Sequence, residues 1–347
     1  MKILVTGGSG FLGARLISKL VADGHDVMAL ARSPSSGKRV GSLGATPITG
    51  DLEMPEDLQL PALDAVFHTA AYFRFAGPRK PYFQVNVDGT KALLEAARRA
   101  GATRFVHVSA AGIIMDDEGS PIRNADESAP TFPNSFSGYV ASKARAEAAV
   151  LAANQSGFRT IAIRPPAIWG PGDAFSRAIP EAIGSGRFKF IDRGDYPFAT
   201  CHVDNVIEAL QCALAGGDGG RAYFVTDPEP TTFRDFVAML ASLHGLSIDK
   251  LGSMSYRLAF TLGRVMETGA AVAFSRKNDP PLSRTLVRMI GREFTLDDAA
   301  ARNLLGYTGR TSQARGLAAF HETAAAASSS AQGRITSPSG TVRKRFG

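Results

Sequence analysis

Short apolar runs alternate with longer amphipathic stretches along most of this chain. The runs have the length and composition of strands, and the stretches between them have the length of helices. We predict strands at residues 2–6, 26–33, 65–69, 104–109, 160–164 and 222–226, and helices at 14–22, 89–100 and 139–154. Strands that alternate with helices indicate a parallel sheet covered on both faces. The chain is therefore predicted to be an α/β protein that binds ligands at the carboxyl ends of its strands.

Three glycines follow the first predicted strand. Gly7, Gly10 and Gly13 lie between strand 2–6 and helix 14–22, which is the context of a dinucleotide-binding loop. One glycine makes the tight turn, one lets the backbone approach a pyrophosphate, and one packs the helix on the strand. The phosphates would lie at the positive N-terminus of the helix. We therefore predict a nicotinamide dinucleotide site here.

The end of the second predicted strand bears on the choice of cofactor. NAD sites usually place a carboxylate there for the ribose 2′-hydroxyl, whereas this chain has Arg32 and Ser33, with Lys38 and Arg39 nearby. A guanidinium suits a 2′-phosphate through charge-assisted hydrogen bonds. We predict NADP(H) in preference to NAD(H). The alternative, in which Arg32 stacks on the adenine or faces solvent, leaves NAD(H) open.

Tyr139 and Lys143 lie four residues apart on one predicted helix, so their side chains share a face. A free tyrosine has a pKa of about 10, and a neighbouring ammonium favours the phenolate and brings proton exchange toward neutral pH. Such a pair can protonate or deprotonate an alcohol oxygen. The alternative for an isolated pair is a solvated lysine beside a packed tyrosine.

Composition and charge exclude some classes of function. With 347 residues, 44% hydrophobic, the chain can bury one large core or a core plus a smaller lobe. The net charge of +7 is mild, and no nucleic-acid-binding motif accompanies it. Cys201 and Cys212 are not spaced as a redox or zinc pair, and the six histidines show no metal spacing. We therefore predict no metal site and no nucleic-acid partner.

Two later segments bear on membrane contact. Segment 254–274 is apolar, but Arg257, Arg264 and Glu267 interrupt it, which argues against a transmembrane span. It is either an amphipathic helix over an apolar pocket or ordinary lobe core. Residues 323–347 are rich in Ala, Ser and Gly and end in basic residues, which predicts a disordered tail. A solvated tail is favoured, and peripheral contact of the tail with acidic lipid stays open.

The first strand begins at residue 2, which leaves no room for a signal peptide. The unpaired pattern of the cysteines is also typical of a reducing compartment. We therefore expect a cytoplasmic protein.

Several motifs occur in the order typical of one enzyme family. The chain resembles the extended short-chain dehydrogenase/reductase family, also called the NAD(P)-dependent epimerase/dehydratase superfamily, at residues 6–13, 51–52, 68–71, 86–90, 109, 139 with 143, and 164–173. Residues 202–206, 279–284 and 305–307 resemble the branch of 3β-hydroxysteroid dehydrogenases, sterol-4-carboxylate 3-dehydrogenases and reductases of long-chain 2-alkyl-3-oxo acids. The resemblance covers residues 1 to about 320.

The resemblance implies the domain organisation. Residues 1–168 are expected to form an NAD(P)-binding domain with a Rossmann-type doubly wound parallel sheet. Residues 169–322 are expected to form a smaller, mostly helical C-terminal substrate lobe, interleaved with the last Rossmann strands, before the tail 323–347. A homodimer is an expectation of the family alone.

The resemblance also implies roles for individual residues. Tyr139 would be the general acid or base on the substrate oxygen, Lys143 would lower the pKa of Tyr139 and bind the nicotinamide ribose, and Ser109 would hydrogen-bond the substrate oxygen. Many relatives carry two or three consecutive hydroxyl residues at this position, whereas this chain has Ser109 followed by two alanines. The alternative that Ser109 only ends the strand and has no catalytic role therefore stays open. The expected cofactor-binding residues are Thr6, Gly7, Ser9, Gly10, Phe11, Leu12, Gly13, Arg32, Asp51, Leu52, Thr69, Ala70, Ala71, Asn86, Tyr139, Lys143, Pro165 and Ile168.

Asn86 has a second interpretation, as a structural residue that starts a helix or bridges strands, and beside that role a part in the proton relay stays open. For the function, the branch implies oxidoreduction of a lipophilic alcohol or ketone, such as a steroid or sterol 3-hydroxyl or a long-chain 3-oxo acid. The first alternative is a nucleotide-sugar epimerase or dehydratase that retains NAD. The second is a noncatalytic, cofactor-sensing binding protein, although such relatives commonly lack the Tyr or the Lys.

Overall fold

The protein is described by a computed structural model that covers residues 1–55, 58–272 and 279–323. Its strands are β1 (Lys2–Thr6), β2 (Asp26–Ala31), β3 (Thr46–Thr49), β4 (Ala65–His68), β5 (Arg104–Val108), β6 (Ile122–Ala125), β7 (Arg159–Arg164), β8 (Ala167–Trp169), β9 (Phe190–Ile191), β10 (Thr200–His202), β11 (Arg221–Phe224), β12 (Ser253–Met254) and β13 (Phe294–Leu296).

The α-helices are α1 (Phe11–Ala22), α2 (Pro34–Gly41), α3 (Arg79–Phe83), α4 (Gly89–Arg99), α5 (Gly138–Ala152), α6 (Phe175–Gly184), α7 (Val203–Ala215), α8 (Phe233–Ser242), α9 (Tyr256–Val272) and α10 (Arg284–Ile290). Residues 313–323 are also helical. None of the helices in the described ranges is both long and apolar enough to cross a bilayer.

A seven-stranded sheet of order β11-β7-β5-β4-β1-β2-β3 forms the centre of the molecule. All neighbouring strands in it are parallel. The chain order reverses between β1 and β4, and in open parallel sheets ligands bind in the crevice at such a reversal, beyond the carboxyl ends of the strands. The predicted α/β fold with a doubly wound parallel sheet is confirmed.

Helices cover both faces of this sheet because its strands are apolar on both sides. The first face packs on α1, α2 and α7 through residues such as Val5, Leu16 and Val206. The second packs on α4 and α5 through residues such as Phe105 and Leu93. The helix α5 is buried on most of its surface, so side chains on it reach the strand ends beneath.

The edge strand β3 is missing from the sequence prediction. Its four residues are polar or partly exposed, and they include Pro47. Proline is tolerated at a sheet edge, where its missing N–H leaves no ladder bond unmade. The apolar pattern that identifies the central strands is therefore absent at this position.

Three small parallel pairs organise the residues beyond the sheet: β8 with β10, β9 with β12, and β6 with β13. We call these pairs, with α6, α8, α9 and α10, the C-terminal lobe. Its core is aromatic and includes Trp169, Phe190, Phe233 and Phe236. The boundary at 168/169 stays a prediction, and the predicted tail lies outside the described residues apart from Thr323, which is helical.

Candidate active site

The loop between β1 and α1 depends on two glycines. Gly7 has a φ of +69°, and a Cβ atom on it would lie 2.8 Å from the main chain of Ala70. A Cβ atom on Gly13 would lie 2.3 Å from the main-chain O of Gly7. Gly10 is the N-cap of α1 and provides no side-chain hydrogen bond. The main-chain N–H groups of the first turn are therefore left for other acceptors, as at anion-binding helix termini.

A cleft of about 410 Å³ opens beside this loop, at the ends of β1, β2 and β4. Many of the residues expected to bind the cofactor line it together: Thr6, Gly7, Ser9, Gly10, Arg32, Asp51, Leu52, Thr69, Ala70 and Ala71. The cradle formed by small residues, with helical N–H groups at one end, fits a dinucleotide. Sequence motifs spread over residues 6–71 thus meet at one site.

Other expected cofactor residues lie outside the walls of this cleft. Phe11 and Leu12 are partly buried against the core, as is Ile168 on β8. Gly13 serves the packing of α1 on the loop. The main-chain O of Pro165 accepts a hydrogen bond from the N–H of Ala111 at 2.9 Å. Their predicted contacts with a cofactor stay predictions.

Arg32 lies at the rim of the cleft, mostly exposed, with its Nη1 atom 3.5 Å from Oε1 of Glu53. Glu53 also lines the cleft; it was not predicted from the sequence, although it stands two residues after Asp51. Ser33 is the N-cap of α2 and exchanges hydrogen bonds with Ser36 in a capping box. Its hydroxyl is thus already engaged, which leaves Arg32 as the main candidate for binding a 2′-phosphate.

Asn86 is a structural bridge in this structure. It lies in a π-helical turn, Gln84–Asp88, and is buried. Its Oδ1 atom accepts a hydrogen bond from the N–H of Tyr72 at 2.7 Å, and its Nδ2 atom donates to the main-chain O of Tyr72 and to Oγ of Ser142. The side chain therefore ties the segment after β4 to α5, which fits the second of its two sequence interpretations.

Tyr139 lies in the first turn of α5, where Ser137 is the N-cap. Phe73 packs edge-on against its ring, with centroids 4.7 Å apart, and Phe75 packs edge-on against Phe73 at 4.9 Å. Phe73 is 46% exposed and also lines the cleft. An aromatic wall thus continues from the cleft to Tyr139, and it was not predicted from the sequence.

Lys143 reaches from α5 to the end of β5. Its Nζ atom donates a hydrogen bond to the main-chain O of Val108 at 2.6 Å and lies 3.3 Å from Nε2 of His107. Burial lowers the pKa of Lys143 to about 7. Burial, reinforced by Lys143 and then His68, also holds the pKa of His107 well below its usual value. The imidazole of His107 is therefore neutral, and its Nε2 atom lies within hydrogen-bond distance of the amine.

The expected effect of Lys143 on Tyr139 is not seen in this arrangement. Burial raises the pKa of Tyr139 to about 12, because a phenolate loses hydration in an apolar site. The amine of Lys143 is directed at β5 instead of the phenol. Four-residue spacing thus predicted a shared helix face but not the direction of the lysine.

Ser109 follows β5 and is 4% exposed. Its main-chain N–H donates to the O of Ile163 at 2.8 Å, while its Oγ atom is buried without a hydrogen-bond partner among the described residues. Native proteins rarely leave a buried hydroxyl unpaired, because the lost hydration is not replaced. An unpaired hydroxyl at the carboxyl end of a central strand is suited to a ligand oxygen.

His68 fastens the strand ends beneath the site. Its Nδ1 atom lies 2.7 Å from Oγ1 of Thr6, and its Nε2 atom lies 2.8 Å from Oγ1 of Thr90. Burial lowers its pKa to about 3, so the ring is neutral. The ring therefore connects β1, β4 and α4 without adding charge to the site.

Comparison with known proteins assigns the chain to a family. A sequence model of the 3-beta hydroxysteroid dehydrogenase/isomerase family matches residues 4–255. A 4-hydroxy-2-methyl-3-oxo-4-farnesyl-3,4-dihydroquinoline-1-oxide ketoreductase of Stigmatella aurantiaca is 40% identical over 325 residues, covering 93% of this chain and 96% of the relative. A 2-alkyl-3-oxoalkanoate reductase of Stenotrophomonas maltophilia is 34% identical over 338 residues, covering 94% and 100%.

A solved structure shares the fold. The dTDP-glucose 4,6-dehydratase DesIV of Streptomyces venezuelae, a double mutant with NAD bound, superposes with a TM-score of 0.71 at 23% identity, covering 93% of this chain and 96% of that one. At this identity the likeness shows the fold alone. The family match spans most of the chain, and both relatives are similar over nearly their full lengths. The protein belongs to the 3-beta hydroxysteroid dehydrogenase/isomerase family, as its motifs predicted.

Proposed function

We propose that this protein is an NADP(H)-dependent oxidoreductase that interconverts a ketone and a secondary alcohol on a lipophilic substrate. A long-chain 3-oxo acid and a steroid or sterol 3-hydroxyl are the candidate substrate classes. The observation that carries the proposal is the unpaired Oγ atom of Ser109, buried at the end of β5 beneath the helix that presents Tyr139. The names of the two relatives, a ketoreductase and an oxoalkanoate reductase, support the substrate class.

The residues of the cleft would hold the cofactor. Main-chain N–H groups of the first turn of α1 would bind its phosphates, and Gly7 and Gly13 allow the close approach that a Cβ atom would block. Asp51 and Leu52 would contact the adenine, and Ala70 and Ala71 would flank the dinucleotide. When bound, the nicotinamide supplies or accepts the hydride.

The chain itself handles the proton. Tyr139 would donate or accept a proton at Oη, while Oγ of Ser109 hydrogen-bonds the same substrate oxygen. Lys143 would bind the nicotinamide ribose, as the family resemblance implies. A positive charge there would lower the pKa of Tyr139 from about 12 toward the working range. The aromatic wall of Phe73 and Phe75 would exclude water from the reacting atoms.

The preference for NADP(H) is supported by Arg32 at the rim of the cleft. We expect Arg32→Ala to lower kcat/KM for NADPH by about tenfold, in line with a lost charge-assisted hydrogen bond, with little change for NADH. Glu53→Gln is the matched control, because it removes the opposing charge 3.5 Å away and should improve the use of NADPH. A wild-type preference for NADH would contradict this part of the proposal. A homodimer and a cytoplasmic location stay predictions.

The reaction is tested by following NADPH oxidation with a long-chain 2-alkyl-3-oxo acid, a steroid ketone and a nucleotide sugar. Tyr139→Phe should abolish turnover of the lipophilic ketone while cofactor affinity, measured by fluorescence titration, changes little. Tyr223→Phe is the matched control, because it removes another tyrosine hydroxyl, which is buried on the edge strand β11.

Two outcomes would refute the proposed function. One is turnover of a nucleotide sugar with no activity on any lipophilic ketone, together with tightly retained NAD. The other is near-normal ketone reduction by Tyr139→Phe, since no other described group has been assigned the proton transfer.

A further inference from the structure

The helix α9 exposes large apolar side chains along one line of its surface. Leu258 is 50% exposed, Val265 is 63% exposed and Met266 is 39% exposed. Leu262, one turn from Leu258 and Met266, is also partly exposed. At 3.6 residues per turn these positions share a stripe about 100° wide. We call this stripe the α9 face.

The opposite side of α9 is fixed to the rest of the lobe. Tyr256 and Ala259 are buried in a small cluster with Val287. At Gly263 a Cβ atom would lie 2.9 Å from the main chain of Ser283, so α9 and α10 are in close backbone contact. The α9 face is therefore held outward by packing and is not a loosely placed surface.

Charge is distributed unevenly around α9. Arg257 and Arg264, two turns apart, are exposed along one flank of the α9 face. Neither side chain has a carboxylate partner among the described residues. Glu267 points to the buried side, where it accepts hydrogen bonds from the N–H and Nε of Arg284, both at 2.7 Å. The exposed part of the helix through residue 270 is therefore apolar and cationic.

We propose that the α9 face docks on an anionic lipid bilayer. An apolar stripe with arginines along its flank is the pattern of helices that lie in the membrane interface, and each basic residue near such a surface adds to the attraction. A second copy of this chain is disfavoured as the occupant, because facing α9 helices would bring four arginines together without carboxylates. The surface charge of anionic lipid complements the helix instead.

The docked surface would lie near the proposed active site. Phe260 on α9 packs edge-on against Phe136, with centroids 6.1 Å apart, and Phe136 stands three residues before Tyr139. The guanidinium of Arg284 lies 4.6 Å from the ring centroid of Phe136. Docking through α9 would therefore bring the start of α5 close to the bilayer, where lipophilic molecules partition.

The test is co-sedimentation of the full-length protein with vesicles of phosphatidylcholine alone or mixed with phosphatidylglycerol. We expect binding to the anionic vesicles that weakens with salt. Arg257→Gln/Arg264→Gln should weaken it about thirtyfold, and Leu258→Ser/Val265→Ser about tenfold. Matched controls are Arg98→Gln/Arg99→Gln on α4 and Leu304→Ser, which alter residues exposed elsewhere and should bind like wild type.

Vesicle binding needs no turnover, so its outcome is independent of the proposed function. The proposal is overturned if wild type does not sediment with anionic vesicles, or if the α9 variants bind as wild type does. It is also overturned if Arg343→Gln/Lys344→Gln/Arg345→Gln alone abolishes binding, because the tail would then be the contact. Concentration-dependent dimers that the α9 variants abolish would show that the occupant is a second copy. Unchanged melting temperatures show that the variants fold.

Discussion

At the scale of single residues, the buried hydroxyl of Ser109 can be separated from its surroundings by substitution. Its Oγ atom has no partner among the described residues, so Ser109→Ala removes no hydrogen bond of the fold. We expect the free energy of unfolding to stay the same or rise by up to about 1 kcal/mol, while kcat falls at least about tenfold. Denaturant unfolding and steady-state kinetics measure the two effects.

Ser142→Ala is the contrasting variant. The Oγ atom of Ser142 accepts a hydrogen bond from Asn86 and donates one to the main-chain O of Tyr139. Its loss should cost about 1–3 kcal/mol of unfolding free energy, because Asn86 keeps a buried donor without an acceptor. Equal destabilisation by both substitutions would contradict the different environments of the two hydroxyls.

Burial of Lys143 predicts a pH dependence of stability. Its pKa is about 7 in the folded protein and about 10.4 in an unfolded chain. Between these values only the unfolded state binds the proton, so unfolding free energy gains about 1.4 kcal/mol per pH unit as pH rises. Below the folded value both states are protonated, and the cost of burying the ammonium is at its largest; above the unfolded value both states are neutral and that cost is gone. Relative to Lys143→Met, wild type should become more stable from about pH 7 to 10, as measured by urea unfolding; parallel curves would contradict the shift.

From the sequence, the identity of the residues that form the site was easier to predict than the orientation of their side chains. The shared face of Tyr139 and Lys143 followed from their spacing. The contact of Lys143 with His107 depends on which face of β5 meets α5. Residues 105, 107 and 109 share one face of the strand by alternation, and this pattern could have indicated that His107 and Ser109 lie on the same side. Phe73 lies in an irregular segment, where no hydrophobic periodicity predicts the orientation of its side chain.

At the scale of elements, the turn between β1 and α1 depends on the absence of a side chain at Gly13. Because a Cβ atom there would lie 2.3 Å from the O of Gly7, Gly13→Ala must move α1 away from the strand end. We expect a loss of about 2 kcal/mol or more and weaker cofactor binding, measured by thermal unfolding and by titration.

Gly41→Ala is the matched substitution for Gly13→Ala. Gly41 ends α2, and a Cβ atom on it would have open space around it. Alanine there should stabilise the protein by about 0.5–1 kcal/mol and leave cofactor affinity unchanged. Similar losses from both variants would show that α1 does not need close contact with the loop.

Elements with a clear period were predictable, and short ones were not. The central strands and the helices α1, α4 and α5 were predicted to within a few residues. The strands of the C-terminal lobe have two to four residues and pair across long stretches of chain, as β6 does with β13. Strands this short do not show a hydrophobic period, and their pairing partners cannot be identified from the neighbouring sequence. Segment 254–274 was left open between an amphipathic helix over a pocket and ordinary lobe core; as far as residue 270, α9 buries one side and exposes apolar residues on the other.

At the scale of the whole molecule, Asp279 connects the lobe to the central domain. Its carboxylate accepts hydrogen bonds from Nε of Arg74 at 3.1 Å and from the N–H groups of Phe75 and Ala76 at 3.3 and 3.2 Å. These donors belong to the segment that carries Phe73. We expect Asp279→Asn to lower the free energy of unfolding by about 1–2 kcal/mol and to raise KM for the ketone more than it lowers kcat.

Asp195→Asn serves as the control for Asp279→Asn. Asp195 pairs with Arg234 at 2.7 Å, but both side chains lie at the surface of the lobe, so the cost should stay below about 1 kcal/mol. Neither kinetic constant should change. A KM for the ketone that is unaltered by Asp279→Asn would show that this carboxylate does not hold the aromatic wall.

The pairing of β6 with β13 has a consequence for synthesis on the ribosome. Residues 122–125 leave the exit tunnel long before residues 294–296 are made, so β6 stays unpaired while much of the chain between the two strands is still being synthesised. Nascent chains arrested before Phe294 should therefore be captured by chaperones and digested readily by protease. Emergence of β13 from the ribosome should bring protection of both segments at the same moment.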